Sequence, residues 1–290
     1  MIKSLKNNIS LSLFQNQNSI SYNLFNKLYD ILKCRHNTDS QTIKNFYELG
    51  YSKSSLVKEN EIDLINNNIE HANKKFLNNV TIFDINKDLR LLLKTLFINN
   101  FSEVIEKFSE FYSSRIIVSH VKVFTNHGFE KENHENKQFF SEKYHTDNYF
   151  FTYFKLFINL ENVKKEMGPL HFVSKKNIKD FIKATNYKNR YSYNENNAEK
   201  LVFENIGKKG NSLFVNTTQC IHRAGIPKSN KTRTMLLFHL NAIPGEKNNK
   251  NYFEYENTDN DIFLNDYWSK YYAKPTHILK NLNLLKNFFN

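Results

Sequence analysis

The stretch Arg115-Ile116-Ile117-Val118-Ser119-His120-Val121-Lys122-Val123-Phe124 constrains the fold more than any other part of the chain. It is rich in β-branched residues and begins to alternate, as a strand with one buried face does. A polar loop is expected at 126–138, and strand-like segments return at 144–174, 201–206, 211–222 and 232–242. Between them, 177–200 reads as a helical or irregular insertion. Upstream the texture is helical: Leu24, Leu28, Ile31 and Leu32 fall at helical spacing, as do Ile62, Ile65 and Ile69, and then Leu92, Leu96, Val104 and Phe108. The tail, 247–290, is polar and then amphipathic, with Tyr267, Trp268, Leu282, Leu284 and Leu285 suggesting helices that pack back on the body. Strands clustered between helical flanks predict a mainly β core with α flanks, a barrel or jelly roll carrying helices. The expected organisation is one domain over 1–290: a helical part at 1–110, a jelly-roll core at 111–245 and a helical tail at 246–290.

Composition narrows the class. With 290 residues, 40% of them apolar and 15% aromatic, and only 7 Gly and 4 Pro, the chain is neither disordered nor fibrous. The formal charge of +12 invites a nucleic-acid reading. However, the 41 basic residues comprise only six arginines, and the remaining 35 lysines accompany 45 asparagines, a background bias rather than a designed patch. The basic residues are scattered, so no nucleic-acid partner is expected. No run approaches the ~18 uncharged apolar residues of a membrane span. The first residues lack the apolar core of a signal peptide. Two cysteines, Cys34 and Cys220, rule out a disulfide scaffold, and a soluble, cytoplasmic protein is expected.

The chemistry is concentrated at Tyr144-His145-Thr146-Asp147. On a strand, residues i and i+2 face one side, so His145 and Asp147 can converge on one ion. An imidazole and a carboxylate are two of the three ligands of the facial triad that holds Fe(II) with three positions open. Alone the pair is weak, being common by chance among ten histidines and ten aspartates. His222, expected to end an apolar strand running Ser212 to His222, is a reasonable third ligand, because strands far apart in sequence lie side by side in a jelly roll. Pairing the flanking segments about a turn between Pro227 and Lys228 places Arg233 opposite His222. A guanidinium there can fork both oxygens of a carboxylate, as an anionic, metal-chelating co-substrate requires.

With Gly168-Pro169-Leu170-His171-Phe172-Val173 following the His-x-Asp segment, the chain resembles the phytanoyl-CoA dioxygenase-like Fe(II)/2-oxoglutarate oxygenases over about 115–240. That family shows a His-x-Asp, a Gly-x-Leu-x-x-Val strand, and a distal His followed about eleven residues later by Arg. The resemblance implies a double-stranded β-helix (jelly-roll, cupin-like) fold. It also implies a hydroxylase that uses Fe(II), 2-oxoglutarate and O2 on a small-molecule substrate and releases succinate and CO2. It assigns His145, Asp147 and His222 to the metal, Arg233 to the distal carboxylate of 2-oxoglutarate, and Lys122 to a further co-substrate contact. Asp147 itself favours hydroxylation, or a desaturation variant, because halogenating relatives leave that ligand out. Two departures stand out: Ser174-Lys175-Lys176-Asn177 replaces the family's Pro-Gly-Ser-His, and Met235 offers no hydroxyl two residues after Arg233.

Other residues read more plainly. Asn216 and Thr218 share strand parity with His222 and could line the pocket. Cys220 is expected to be a small buried hydrophobe, His239 a hydrogen-bonded core histidine, and His127 and His134 solvated loop residues. Tyr149, Phe150, Phe151, Tyr153, Phe154 and Phe157 could be pocket walls or ordinary core. The positive balance suits an anionic metabolite. The competing reading is a cupin-like metal-binding protein without oxygenase chemistry, which would not need Arg233 beside the metal.

Overall fold

A computed structural model describes residues 39–77, 79–112, 115–128, 142–147, 153–243, 250–254, 256 and 261–264. The readings of Leu24 to Leu32, Cys34, His134, Tyr149 to Phe151, and Tyr267, Trp268, Leu282, Leu284 and Leu285 lie outside these residues. Four helices are described: α1 (Gln41–Leu49), α2 (Glu59–Glu70), α3 (Lys87–Tyr112) and α4 (Ile178–Thr185). The strands are β1 (Tyr51–Lys53), β2 (Lys74–Leu77), β3 (Val80–Phe83), β4 (Arg115–His127), β5 (Tyr153–Asn159), β6 (Leu170–Val173), β7 (Val202–Glu204), β8 (Ser212–Val215), β9 (His222–Ala224) and β10 (Thr232–Ile243).

Two antiparallel sheets form the core, a seven-stranded one in the order β1-β8-β5-β10-β4-β3-β2 and a smaller one in the order β7-β6-β9. The fold is a jelly roll with helical flanks, as the clustered strands predict. Alternation along β10 shows how it is filled. Leu236, Phe238, Leu240 and Ala242 face the helices, where α3 brings Phe97, Phe101, Ile105 and Phe108 against Phe154 and Phe214. Met235 and Leu237 face the other way, onto Phe157, Val215, Leu170 and Phe172 between the two sheets. Each such buried aromatic or aliphatic side chain contributes about 1.5–3 kcal/mol. The N-terminus of α3 is capped by Asn86, whose Oδ1 accepts from the Leu89 amide at 2.9 Å. A third cluster, with Phe181 of α4, Tyr144, Val173 and Ile221, backs the smaller sheet.

The part up to 110, read as mostly helical, holds three helices among its described residues and also contributes β1, β2 and β3 to the large sheet. Two expectations need correction. The segment 211–222 is not one strand: β8 ends at Val215, the chain turns at Asn216 to Gln219, and His222 opens β9 in the other sheet. Nor do the segments around Pro227 form a hairpin. β9 pairs with β6, whereas β10 pairs with β4 and β5, so Arg233 lies opposite Asn126 rather than His222.

Candidate metal centre

His145, Asp147 and His222 meet between the sheets, each offering a ligand atom, and these three atoms lie within 4.8 Å of one another. His145 joins the edge of the smaller sheet through a single antiparallel bridge to His222. The two residues exchange backbone hydrogen bonds of 2.9 and 2.8 Å. Asp147 is tied down by its amide, which donates to the Thr217 carbonyl at 2.8 Å.

The turn at Asn216 does most of this positioning. Asn216 Oδ1 accepts from the Thr218 hydroxyl at 2.7 Å and from the Gln219 amide at 3.2 Å. The Asn216 amide donates to the Gly50 carbonyl at 2.8 Å. Gly50 ends α1 at φ 81°, and a Cβ there would collide with Cys220 Sγ. Asn216 and Thr218 therefore brace the turn instead of sharing a strand face with His222. Cys220 behaves as expected of a buried apolar residue, and burial pushes its thiol up to about 12.

Each imidazole is oriented by a backbone carbonyl. His145 Nδ1 lies 2.6 Å from the Lys143 carbonyl, and His222 Nδ1 lies 3.0 Å from the Cys220 carbonyl. That arrangement places the proton on Nδ1 and makes Nε2 of each ring the atom able to ligate a metal. The two Nε2 atoms sit 3.9 and 3.8 Å from Asp147 Oδ1, too far for hydrogen bonds. Two neutral nitrogens and one carboxylate oxygen around a common gap fit a divalent transition metal.

Burial also keeps these imidazoles neutral, lowering His222 to about 4 and His145 well below its ordinary value. Burial alone would raise Asp147, but Lys155, then His222 and His145, outweigh it and hold the carboxyl below its usual range. Lys155 went unrecognised in the sequence. It projects from β5, and its Nζ forms an ion pair with Asp147 Oδ2 at 2.6 Å, leaving Oδ1 for the imidazoles. The available signal was a lone charged residue in Tyr153–Asn159, a strand otherwise suited to burial on both faces.

Arg233 shares the inward face of β10 with Met235 and Leu237. It is fully buried, and Nε and both terminal nitrogens have no hydrogen-bond partner among the described residues. Burial lowers it to about 9, so it remains a cation at neutral pH. A buried, unpartnered guanidinium is costly unless an anion joins it. Lys122 lies opposite Leu237 on β4, and its charge reaches His120 and His239. His239 is a buried core histidine hydrogen-bonded to the Tyr153 hydroxyl, as expected. His127 is not a loop residue: it ends β4, and its Nε2 lies 2.7 Å from the Thr81 hydroxyl.

These depressed histidines set a pH dependence for the metal-free protein. Between about 4 and 6.5 the unfolded chain binds more protons at His222 than the folded one does. Stability contributed by the neutral imidazole is thus complete above pH 6.5 and lost as pH falls toward 4, about 3 kcal/mol from His222 alone. His145, His120 and His239 act in the same sense. Urea midpoints of chelator-treated protein should be level from pH 7 to 8 and fall steeply below 6.5; a level profile down to pH 4.5 would contradict the burial of these rings.

No family model and no curated protein matches the chain. Solved structures similar to it include HygX from Streptomyces hygroscopicus with nickel and 2-oxoglutarate bound, at 10% identity and TM-score 0.49, covering 71% of this chain and 88% of that one. The non-heme alpha-ketoglutarate-dependent carbocyclase SnoK from nogalamycin biosynthesis matches at 12% identity and TM-score 0.47, covering 71% and 85%. AviO1 from Streptomyces viridochromogenes matches at 11% identity and TM-score 0.45, covering 72% and 100%.

Proposed function

We propose that the chain is an Fe(II)- and 2-oxoglutarate-dependent oxygenase, similar to the phytanoyl-CoA dioxygenase-like enzymes, that hydroxylates a C–H bond of a small molecule. The supporting observation is a two-imidazole, one-carboxylate donor set sharing the interior between the sheets with a buried guanidinium that has no hydrogen-bond partner among the described residues. His145 Nε2, Asp147 Oδ1 and His222 Nε2 would hold the iron. Arg233 would bind the distal carboxylate of 2-oxoglutarate, and Lys122 is the candidate for a further contact with that co-substrate. When bound, iron and 2-oxoglutarate supply dioxygen activation and the oxidising power for attack on a C–H bond, with succinate and CO2 as co-products.

The chain's own residues orient and shield. The carbonyls of Lys143 and Cys220 fix the two imidazoles, and Lys155 holds Asp147 through one oxygen. Asp147 fills the ligand position that a halogenating enzyme would leave to chloride, which favours hydroxylation. Phe157, Leu170, Phe172 and Met235 make the surroundings apolar, so charges inside act more strongly than in water. A small acidic metabolite suits the lysine-rich balance. A cupin-like metal protein without oxygenase chemistry would keep the three ligands but have no use for Arg233.

Iron-reconstituted protein given 2-oxoglutarate and air should form succinate slowly, and faster when an accepted metabolite is added. Chelator-treated protein should form none. Absence of iron-dependent succinate across a library of acidic and hydroxylated metabolites would contradict the proposal.

A further inference from the structure

The polar groups around Arg233 extend beyond the guanidinium. On β4, Asn126 lies directly opposite Arg233, where cross-strand Cβ atoms are about 5 Å apart. Asn159 of β5 lies opposite Met235, one inward position along from Arg233 and so diagonal to it, at about 7–8 Å. Their neighbours fix their direction: Phe124 and Phe157 pack into the inter-sheet cluster, while Val123 and Ile158 face the helices. Asn126 and Asn159 therefore point inward with Arg233. Both are buried, Asn159 completely. The Asn126 amide nitrogen and both amide atoms of Asn159 have no hydrogen-bond partner among the described residues.

Three adjacent buried side chains carrying polar atoms with no hydrogen-bond partner among the described residues are hard to account for as packing, because each unsatisfied donor costs stability that an apolar side chain of the same size would not. Together they make a donor array shaped for one anion. The guanidinium forks two carboxylate oxygens, and each oxygen keeps a lone pair for an amide N–H from Asn126 or Asn159. Met235 leaves vacant the hydroxyl position two residues after Arg233, so these amides supply the missing contact from neighbouring strands. We infer that Asn126 and Asn159 are positioning residues that, with Arg233, clamp the distal carboxylate of the co-substrate and select a dicarboxylate over a monocarboxylate 2-oxo acid. This inference rests on the functional reading above.

The test uses the manganese-loaded full chain under nitrogen, with calorimetry of 2-oxoglutarate and of pyruvate. Asn126→Leu and Asn159→Leu should each weaken 2-oxoglutarate about tenfold and leave pyruvate within about twofold. Because a buried unsatisfied amide is removed, the ligand-free melting temperature should hold or rise, by about 2–4 °C. Should a leucine variant not fold, Asn159→Asp gives a second route. Its carboxylate would pair with Arg233, keep the fold and exclude 2-oxoglutarate, weakening it more than a hundredfold.

The clamp is overturned by unchanged 2-oxoglutarate affinity, by equal losses for both acids, or by a lowered melting temperature, which would mark the asparagines as structural. Wild type and Arg233→Met separate the two readings. If wild type binds 2-oxoglutarate and Arg233→Met does not, unchanged affinity in the asparagine variants sinks the clamp alone. If wild type does not bind it, both readings fall.

Discussion

His222→Ala is expected to abolish iron-dependent turnover and to weaken the metal by at least about a hundredfold, since loss of even an outer-shell partner costs 10–100-fold. Asp147→Ala should do the same. The three ligand atoms come from two stretches of chain, His145 and Asp147 from one and His222 from the other, and one ion would join them. Two imidazoles cannot replace the missing donor, because Nδ1 of each is committed to a backbone carbonyl. The fold should survive. His145 and His222 are held by backbone bonds that alanine retains, and β9 remains paired with β6. Manganese or iron titration, read by calorimetry beside a melting curve, separates lost ligation from lost structure. Undiminished metal affinity in either variant would remove that residue from the site.

Arg233→Met should move two properties in opposite directions. The guanidinium is buried without a hydrogen-bond partner among the described residues. Replacing such a charge with an apolar side chain of similar volume is expected to stabilise by about 1–3 kcal/mol, raising the melting temperature several degrees. The same substitution should weaken 2-oxoglutarate by about a hundredfold or more, the usual consequence of leaving a buried carboxylate unpaired. A residue that served only the fold would show the reverse, with lower stability and unchanged binding. Differential scanning fluorimetry with and without 2-oxoglutarate reads both effects in one experiment: the ligand-induced upward shift of the manganese-loaded wild type should vanish in the variant.

The candidate ligands and Arg233 were legible in the sequence because His145-Thr146-Asp147, His222 and Arg233 keep an order and spacing that survive even where the local reading of structure does not. Their geometry was not legible. A single strand from Ser212 to His222, followed by a hairpin, is what the apolar run and the Gly-Ile-Pro segment suggest. The break comes instead at Asn216 to Gln219, a buried turn without Gly or Pro, held by an asparagine side chain and by Gly50 far upstream. No local pattern announces such a turn. It sends β9 and β10 into different sheets, so Arg233 reaches the interior from the sheet facing His222.

Lys155, Asn126 and Asn159 were hidden by composition. One lysine among 35 carries no signal until its ion pair with Asp147 singles it out, nor do two asparagines among 45 until burial and unsatisfied amide atoms among the described residues do. The short strands β2 and β3 escaped for a related reason. Lys74 to Leu77 is a mostly exposed edge strand that presents no alternation to read.

The central claim is that two imidazoles and one carboxylate surround a single metal ion while Arg233 waits for the far end of an anion. A crystal of the protein soaked with manganese and 2-oxoglutarate tests it most directly. One anomalous peak is expected, in contact with His145 Nε2, Asp147 Oδ1 and His222 Nε2, with the distal carboxylate of 2-oxoglutarate forked by Arg233. Manganese bound elsewhere, or an Arg233 that turns from the ligand toward a protein group, would contradict the account.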